Sequence, residues 1–186
     1  PLLEDKLLPA LKKIRMADEA FAKVIYERKS AAFRELDRYI RLVAPTDMTV
    51  LILGNTGTGK EHLAGKIHKR SLRANKPYIT VDCGSLSREL AASAFFGHAK
   101  GAFTGATDEK PGYFQEARGG TLFLDEVENL PVEIQQMLLR AMEERRYRPV
   151  GGRQDKRMDV RVIAATNEDL QDAVAEKRFR KDLLYR

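Results

Sequence analysis

The residues with the clearest chemical meaning form a glycine-rich loop that fits the pattern G-x-x-x-x-G-K: Gly54, Asn55, Thr56, Gly57, Thr58, Gly59 and Lys60. The loop follows a short apolar run and precedes an amphipathic stretch, so it joins a predicted strand to a predicted helix. Glycines allow a tight turn whose backbone N–H groups point inward, and a lysine in that position reaches the β- and γ-phosphates of a nucleotide. The sequence therefore predicts a phosphate-binding loop.

Glu61 follows the lysine, where most such loops have a serine or threonine whose hydroxyl helps to hold Mg²⁺. The metal must then depend on another group. Asp125 and Glu126 supply it, because they end the apolar run of residues 121 to 124. We expect Asp125 to hold Mg²⁺, directly or through water, and Glu126 to polarise the attacking water as general base.

Asn167 ends a further apolar run, residues 160 to 165, after Thr166. Its amide is placed to orient the attacking water or to sense the γ-phosphate. A simple turn residue is the alternative interpretation, since asparagine is common in turns.

Strand-like and helix-like segments alternate from Thr49 onward, which is typical of an α/β domain with a largely parallel central sheet. Flanking helices would complete three α/β/α layers. We expect strands within 49–53, 78–81, 121–124 and 160–165, and helices from Lys60 to about 73 and within 86–96 and 132–144. The predicted domain covers residues 30 to 186, with Ser30 as the cap of a helix that continues to about Val43.

Residues 1 to 29 are predicted to form a separate linker helix. Its apolar positions follow alternating three- and four-residue steps typical of a coiled coil: Leu7, Leu11, Ile14, Phe21 and Ile25. This seam would pair with a second chain or, alternatively, dock on the domain that follows.

Composition limits the classes of function. The 186 residues carry a net charge of +6, which is compatible with nucleic-acid binding. The densest basic segment, from Arg145 to Arg161, contains Pro149, Gly151 and Gly152, so we interpret it as a hairpin or loop with solvated charges; direct DNA contact is the alternative. The apolar runs are far shorter than the roughly 20 residues that span a bilayer, and none lies near the N-terminus as a signal peptide would require, so we expect a cytoplasmic protein without membrane contact. The single cysteine, Cys83, is expected to be a buried, unreactive thiol.

A further segment, Gly101, Ala102, Phe103, Thr104, Gly105 and Ala106, spells GAFTGA. Together with the preceding glycine-rich loop and the following Asp125 and Glu126, it resembles the sigma-54-dependent activators, or bacterial enhancer-binding proteins, a branch of the AAA+ ATPases. In this family a glutamate after the lysine is usual, so Glu61 is a family feature. The resemblance runs from about Ser30 to Arg186.

The resemblance implies an ATPase that uses ATP and Mg²⁺, assembles as a hexameric ring and remodels sigma-54 RNA polymerase through the GAFTGA loop. Phe103 and Thr104 would press on sigma-54. Arg180 and Arg186 match two arginines that reach the nucleotide of the neighbouring subunit. The part of the basic segment from Arg148 to Arg157 corresponds to a second loop that faces the pore.

Asp82 departs from the family pattern. The matching strand often ends in asparagine, whose amide holds the catalytic glutamate away from the water. Two carboxylates at short distance repel each other, so we expect Asp82 either to share a proton with Glu126 or to turn away.

The family also has a helical lid, a regulatory domain such as a receiver, and a DNA-binding helix-turn-helix domain. None of these is recognisable in the sequence, so we expect a truncated ATPase that hydrolyses little by itself. A nucleotide-binding assembly or regulatory module with little turnover is the alternative, and a AAA+ enzyme of another branch is disfavoured by GAFTGA.

Overall fold

A computed structural model describes residues 31 to 186. The chain divides into two compact units, Pro1–Ile40 and Arg41–Arg186. Helix α1 covers Ala31–Val43, in agreement with the helix predicted to end near Val43. The prediction for residues 1 to 29 lies outside the described residues.

Four parallel strands form the central sheet: β1 Val50–Leu53, β2 Tyr78–Asp82, β3 Thr121–Asp125 and β6 Arg161–Thr166. Their order is β1-β6-β3-β2, and every neighbouring pair is parallel. The carboxyl ends of all four strands therefore meet at one edge of the sheet. The predicted α/β fold with a parallel central sheet is confirmed.

Helices and turns join these strands. The helices are α2 Lys60–Lys69, α3 Arg88–Phe96, α4 Tyr113–Glu116, α5 Val132–Glu144, α6 Leu170–Ala175 and α7 Lys181–Leu184. Two 3₁₀ turns, Cys83–Ser85 and Val127–Asn129, follow β2 and β3 directly. The basic segment is an antiparallel hairpin, β4 Arg146–Tyr147 and β5 Lys156–Arg157, as the sequence predicts.

The core lies around the two central strands. The apolar residues of β3 and β6 are buried on both faces, which is expected for parallel strands covered by helices. An aromatic cluster joins α3 and α4 to the hairpin, since Phe96 and Phe114 both contact Tyr147. This cluster anchors the two segments that flank the GAFTGA loop.

Arg161 corrects the interpretation of the basic segment as solvated throughout. Only 1% of this residue is exposed. Its guanidinium donates to the carbonyl oxygens of Ala44 at 2.7 Å and Val43 at 2.8 Å, and to that of Met48 at 3.3 Å. These acceptors lie at the end of α1 and in the turn that leads to β1, so Arg161 joins this segment to β6. Backbone acceptors compensate the buried charge, and sequence alone does not reveal them.

Cys83 is buried, as predicted, with 1% of its surface exposed. Burial raises the pKa of its thiol, and nearby carboxylates reinforce the effect, so the unreactive protonated form is favoured. None of the helices within residues 31 to 186 is long and apolar enough to cross a membrane.

Candidate nucleotide site

The glycine-rich loop connects β1 to α2 as its sequence predicts. Gly57 and Gly59 have φ angles of +81° and +84°, a conformation that other residues rarely adopt. The Gly54 N–H donates to the carbonyl of Thr166 at 3.2 Å, which ties the base of the loop to the end of β6. The loop is thus attached to two strands, and α2 begins at Lys60 with its N-terminus behind it.

The Lys60 ammonium folds back over this loop. It donates to the carbonyl of Gly54 at 2.9 Å and to that of Asn55 at 3.2 Å, and the Thr58 hydroxyl donates to the Asn55 carbonyl at 2.8 Å. A bound phosphate would offer the ammonium stronger, charged acceptors in exchange. Lys60 is therefore held within reach of the position that the loop reserves for phosphate.

Asp125 and Glu126 lie at the end of β3, at the same sheet edge. The Glu126 N–H donates to Asp125 Oδ1 at 3.0 Å, and Glu126 has a φ of +51°. A non-glycine residue in the left-handed region is uncommon and is a feature that clusters at functional sites. The sharp turn directs the Glu126 side chain away from the line of the strand.

Asn129 is a neighbour of Glu126 that sequence reasoning missed. Its side-chain amide donates to Glu126 Oε2 at 3.0 Å, and its backbone N–H donates to the Glu126 carbonyl at 2.9 Å. Side chains three residues apart eclipse in a 3₁₀ turn, which explains the contact. The sequence did contain one indication of this contact, since Asn129 carries an amide and follows Glu126 by three residues.

The carboxylates at this sheet edge could hold Mg²⁺. Within residues 31 to 186 no three His, Cys, Asp or Glu side chains converge as a metal site. Mg²⁺ is usually held by one or two carboxylates together with water and substrate phosphates, so a single carboxylate beside the phosphate loop fits its needs. Asp125 Oδ1 is occupied by the Glu126 N–H, which leaves Oδ2 for the metal or its water.

Asp82 is the register partner of Asp125 at the end of β2. It is exposed, and its Oδ1 accepts the Gly84 N–H at 2.9 Å. A Cβ atom on Gly84 would lie 2.5 Å from Glu126 Oε2 and 3.4 Å from Asp82 Oδ1, so both carboxylates flank this glycine. Asp82 thus binds the backbone of the turn after β2, and its expected relation to Glu126, a shared proton or a carboxylate turned away, stays a prediction.

Asn167 is exposed directly after β6. Its backbone N–H approaches Glu128 Oε1 at 3.5 Å, and the other oxygen of this buried carboxylate has no hydrogen-bond partner among residues 31 to 186. Glu128 is a second residue that sequence reasoning missed, since its burial depends on the 3₁₀ turn. The turn after β3 thus contacts both the candidate base and the candidate sensor.

The GAFTGA segment is a compact turn. Gly101 donates its N–H to the Ala106 carbonyl at 2.8 Å, and Ala106 donates to the Phe103 carbonyl at 3.0 Å. Ala106 is buried, whereas Phe103 and Thr104 are exposed. The turn therefore presents an aromatic and a hydroxyl side chain to the outside.

The base of this turn is joined to the basic hairpin. Ala99 donates its N–H to the Val150 carbonyl at 2.9 Å, and Val150 donates to the Gly97 carbonyl at 2.9 Å. A Cβ atom on Gly151, which has a φ of +69°, would lie 2.7 Å from Cβ of Ala102. The two loops are in direct contact.

The two candidate arginines lie around α7. Arg180 Nε donates to Asp182 Oδ1 at 3.0 Å, and Arg186 is exposed. The buried Gln135 accepts the Arg180 N–H at 2.8 Å and donates to the Arg178 carbonyl at 2.9 Å. Gln135 thus fixes the arginine segment on α5, a role that its sequence position did not reveal.

Residues 26 to 186 match the family described as Sigma-54 interaction domain. The chain is 48% identical over 169 residues to the transcriptional regulatory protein GlrR of Escherichia coli strain K12, covering 91% of this chain and 38% of that protein. The chain therefore spans less than half the length of this relative.

Solved structures agree with this similarity. The NtrX protein of Brucella abortus in complex with ATP has a TM-score of 0.78 and 34% identity, covering 98% of this chain and 40% of that chain. The P-loop NTPase domain of a sigma-54 transport activator from Escherichia coli has a TM-score of 0.58 and 22% identity, covering 84% of this chain and 89% of that chain. The second likeness concerns the fold alone.

Proposed function

Because the chain belongs to the Sigma-54 interaction domain family, we propose that it binds and hydrolyses ATP with Mg²⁺ and uses this reaction to remodel sigma-54 RNA polymerase. The observation that carries the proposal is the convergence at one sheet edge of the phosphate loop after β1, Asp125 and Glu126 after β3, and Asn167 after β6. The complex of the similar NtrX protein with ATP supports this assignment.

Binding would begin at the phosphate loop. Its N–H groups and the N-terminus of α2 attract the triphosphate, and Lys60 exchanges its bonds to Gly54 and Asn55 for phosphate oxygens. Glu61, in the first turn of α2, stands beside this loop. Asp125 would hold Mg²⁺, which neutralises charge on the phosphates when it is bound.

Hydrolysis would use Glu126 as general base. Its carboxylate accepts a proton from the attacking water while the water oxygen bonds to the γ-phosphorus and the bond to the leaving diphosphate breaks. Asn167 lies at the end of the neighbouring strand and would orient this water or the γ-phosphate. The direct contact of the 3₁₀ turn with both residues favours a concerted response.

Arg180 and Arg186 would complete the site of a neighbouring subunit in a ring, which we propose to be a hexamer. A guanidinium in trans would neutralise charge on the γ-phosphate. For Arg180 this requires release of its two hydrogen bonds to Asp182. Since Gln135 holds the Arg180 backbone, release moves the side chain and leaves the segment in place.

Remodelling would use the GAFTGA residues 101 to 106 as the contact with sigma-54. The exposed ring of Phe103 offers apolar area, and the contact with Gly151 makes the basic hairpin move with the loop. We propose that DNA binding belongs to a domain outside this chain. We also propose that the activity is cytoplasmic, because RNA polymerase is the partner.

ATP hydrolysis measured against the concentration of the intact protein tests the proposal. Turnover per subunit should rise with concentration because arginines act in trans, and Glu126→Gln should abolish turnover while Mg-ATP still binds. Turnover of Glu126→Gln within a few-fold of the parent would overturn the role of Glu126. Nucleotide binding without turnover at any concentration would instead indicate a nucleotide-binding assembly module.

A further inference from the structure

The carboxylate of Glu126 is directed toward β2. A Cβ atom on Gly84, in the 3₁₀ turn that follows β2, would lie 2.5 Å from Glu126 Oε2. The strand order β1-β6-β3-β2 places β2 on one side of β3 and the phosphate loop, which follows β1, on the other side. In this arrangement Glu126 Oε2 faces away from the phosphates that the loop would bind.

The amide of Asn129 holds the carboxylate in this direction. Its Nδ2 donates to Glu126 Oε2 at 3.0 Å, and the same point beside Gly84 lies 3.2 Å from Nδ2. An ionised carboxylate only accepts hydrogen bonds, so the NH₂ group is the side of the amide that suits this contact. The backbone bond from Asn129 to the Glu126 carbonyl keeps the donor in register with its acceptor.

Asp82 does not provide this contact. Its Oδ1 accepts the Gly84 N–H at 2.9 Å, and within residues 31 to 186 no hydrogen bond joins its side chain to Glu126. Asn129 therefore supplies, from the turn after β3, the only side-chain amide bonded to Glu126 among residues 31 to 186. Residue 82 is a carboxylate and residue 129 is an amide, and of the two only the amide carries an N–H group that can donate to Glu126.

We propose that Asn129 is a positioning residue that restrains Glu126 in the resting protein and must release it before water is activated. This inference rests on the proposed function, in which Glu126 is the general base. The neighbouring Glu128 approaches the backbone of Asn167 at 3.5 Å, so a shift at the end of β6 reaches the same 3₁₀ turn. Release of Asn129 is thereby linked to the residue that would sense the γ-phosphate.

Steady-state ATP hydrolysis by the intact protein without sigma-54 tests the restraint. Asn129→Ala should raise basal kcat about two- to tenfold, the factor that corresponds to one net hydrogen bond, and leave KM for ATP unchanged. Asn129→Asp keeps the shape and removes the donor, so it should raise kcat as well. Asn129→Gln keeps an amide and should stay closer to the parent than Asn129→Ala.

Two comparisons make the result specific. Asn75→Ala, an exposed asparagine before β2, should leave kcat unchanged. With sigma-54 and saturating nucleotide, the parent and Asn129→Ala should converge, because the restraint is then released in both; a general structural defect would persist. A basal kcat of Asn129→Ala and Asn129→Asp equal to or below that of the parent would overturn the inference.

Glu126→Gln, measured in parallel, separates the two claims. If Glu126→Gln abolishes turnover while the Asn129 variants leave it unchanged, the inference fails and the proposed function stands. If Glu126→Gln retains turnover, the proposed base is wrong, and any effect at Asn129 has another origin.

Discussion

The ring of Phe103 packs edge-on against the ring of His98, with centroids 4.9 Å apart and planes inclined by 62°. His98 is itself buried, and its Nδ1 is 2.7 Å from the Ser93 hydroxyl at the end of α3. Phe103 still has 40% of its surface exposed. One edge of the aromatic group is supported by the domain while the rest is available to a partner.

Phe103→Ala should leave ATP hydrolysis within about twofold and abolish open-complex formation on a sigma-54 promoter, because it removes contact area without touching the phosphate loop. Both activities are measured on the intact protein. Leu72→Ala, an apolar residue 87% exposed in the turn after α2, is the matched control and should change neither. Joint loss of both activities in Phe103→Ala would show that Phe103 is structural.

Asp82→Asn should lower basal ATP hydrolysis without sigma-54. The asparagine oxygen can still accept the Gly84 N–H, while its NH₂ group brings a second amide donor to the side of the glycine where Glu126 Oε2 lies. Asp82→Ala removes the carboxylate and adds no donor, so it should not lower the rate. The measurement is basal kcat, and an unchanged value in Asp82→Asn would show that this position does not control Glu126.

Arg161→Met should reduce the free energy of unfolding by about 2 to 3 kcal/mol, because the buried carbonyl of Ala44 and the partly buried carbonyl of Met48 lose their donor. Urea denaturation followed by circular dichroism measures the loss. Arg153→Met, in the exposed part of the basic hairpin, should change stability by less than about 0.5 kcal/mol. Equal stability of the Arg161 variant and the parent would mean that the guanidinium contributes nothing net.

His68 should make stability depend on pH. Burial lowers the pKa of this imidazole, whose Nδ1 lies 2.9 Å from the Thr121 hydroxyl; a hydrogen bond to the Lys76 backbone partly opposes this, and the charges of Arg161 and Lys69 lower the pKa further. The unfolded chain then binds a proton near pH 6.5 that the folded chain does not, so the free energy of unfolding falls as pH decreases from about 7 to 5.

His68→Gln should remove this part of the pH dependence, whereas His62→Gln, at an exposed position of the same helix, should retain it. Urea unfolding of both variants and the parent at several pH values gives the comparison. Parallel curves for the parent and His68→Gln would refute the role of His68.

Much of the fold was predictable from sequence because apolar periodicity and local turn chemistry determine it. The predicted helix 132–144 matches α5, and the four predicted strands lie within one residue of the observed ones. Convergence of Asp125 and Asn167 near the phosphate loop followed from parallel strands, whose carboxyl ends share an edge.

The sequence did not predict the contacts between side chains and backbone groups that are distant in the chain. The burial of Arg161 depends on carbonyls more than a hundred residues away, and the anchoring of Arg180 depends on Gln135 in another helix. Asn129 reaches Glu126 only because the chain forms a 3₁₀ turn after a left-handed residue. The sequence pattern predicts which helix, strand or turn contains these residues, but it does not predict the groups that they contact.

The inward fold of Lys60 has a consequence for mutational tests of this site. Its ammonium cross-links two carbonyls of the glycine-rich loop, so the side chain braces the loop in addition to its proposed role as a phosphate ligand. Replacing Lys60 would remove the proposed phosphate ligand and also the two hydrogen bonds that brace the loop. Loss of activity in a Lys60 variant would therefore have two causes that cannot be separated. Glu126→Gln leaves the hydrogen bonds of the loop intact, so it tests the chemical step alone.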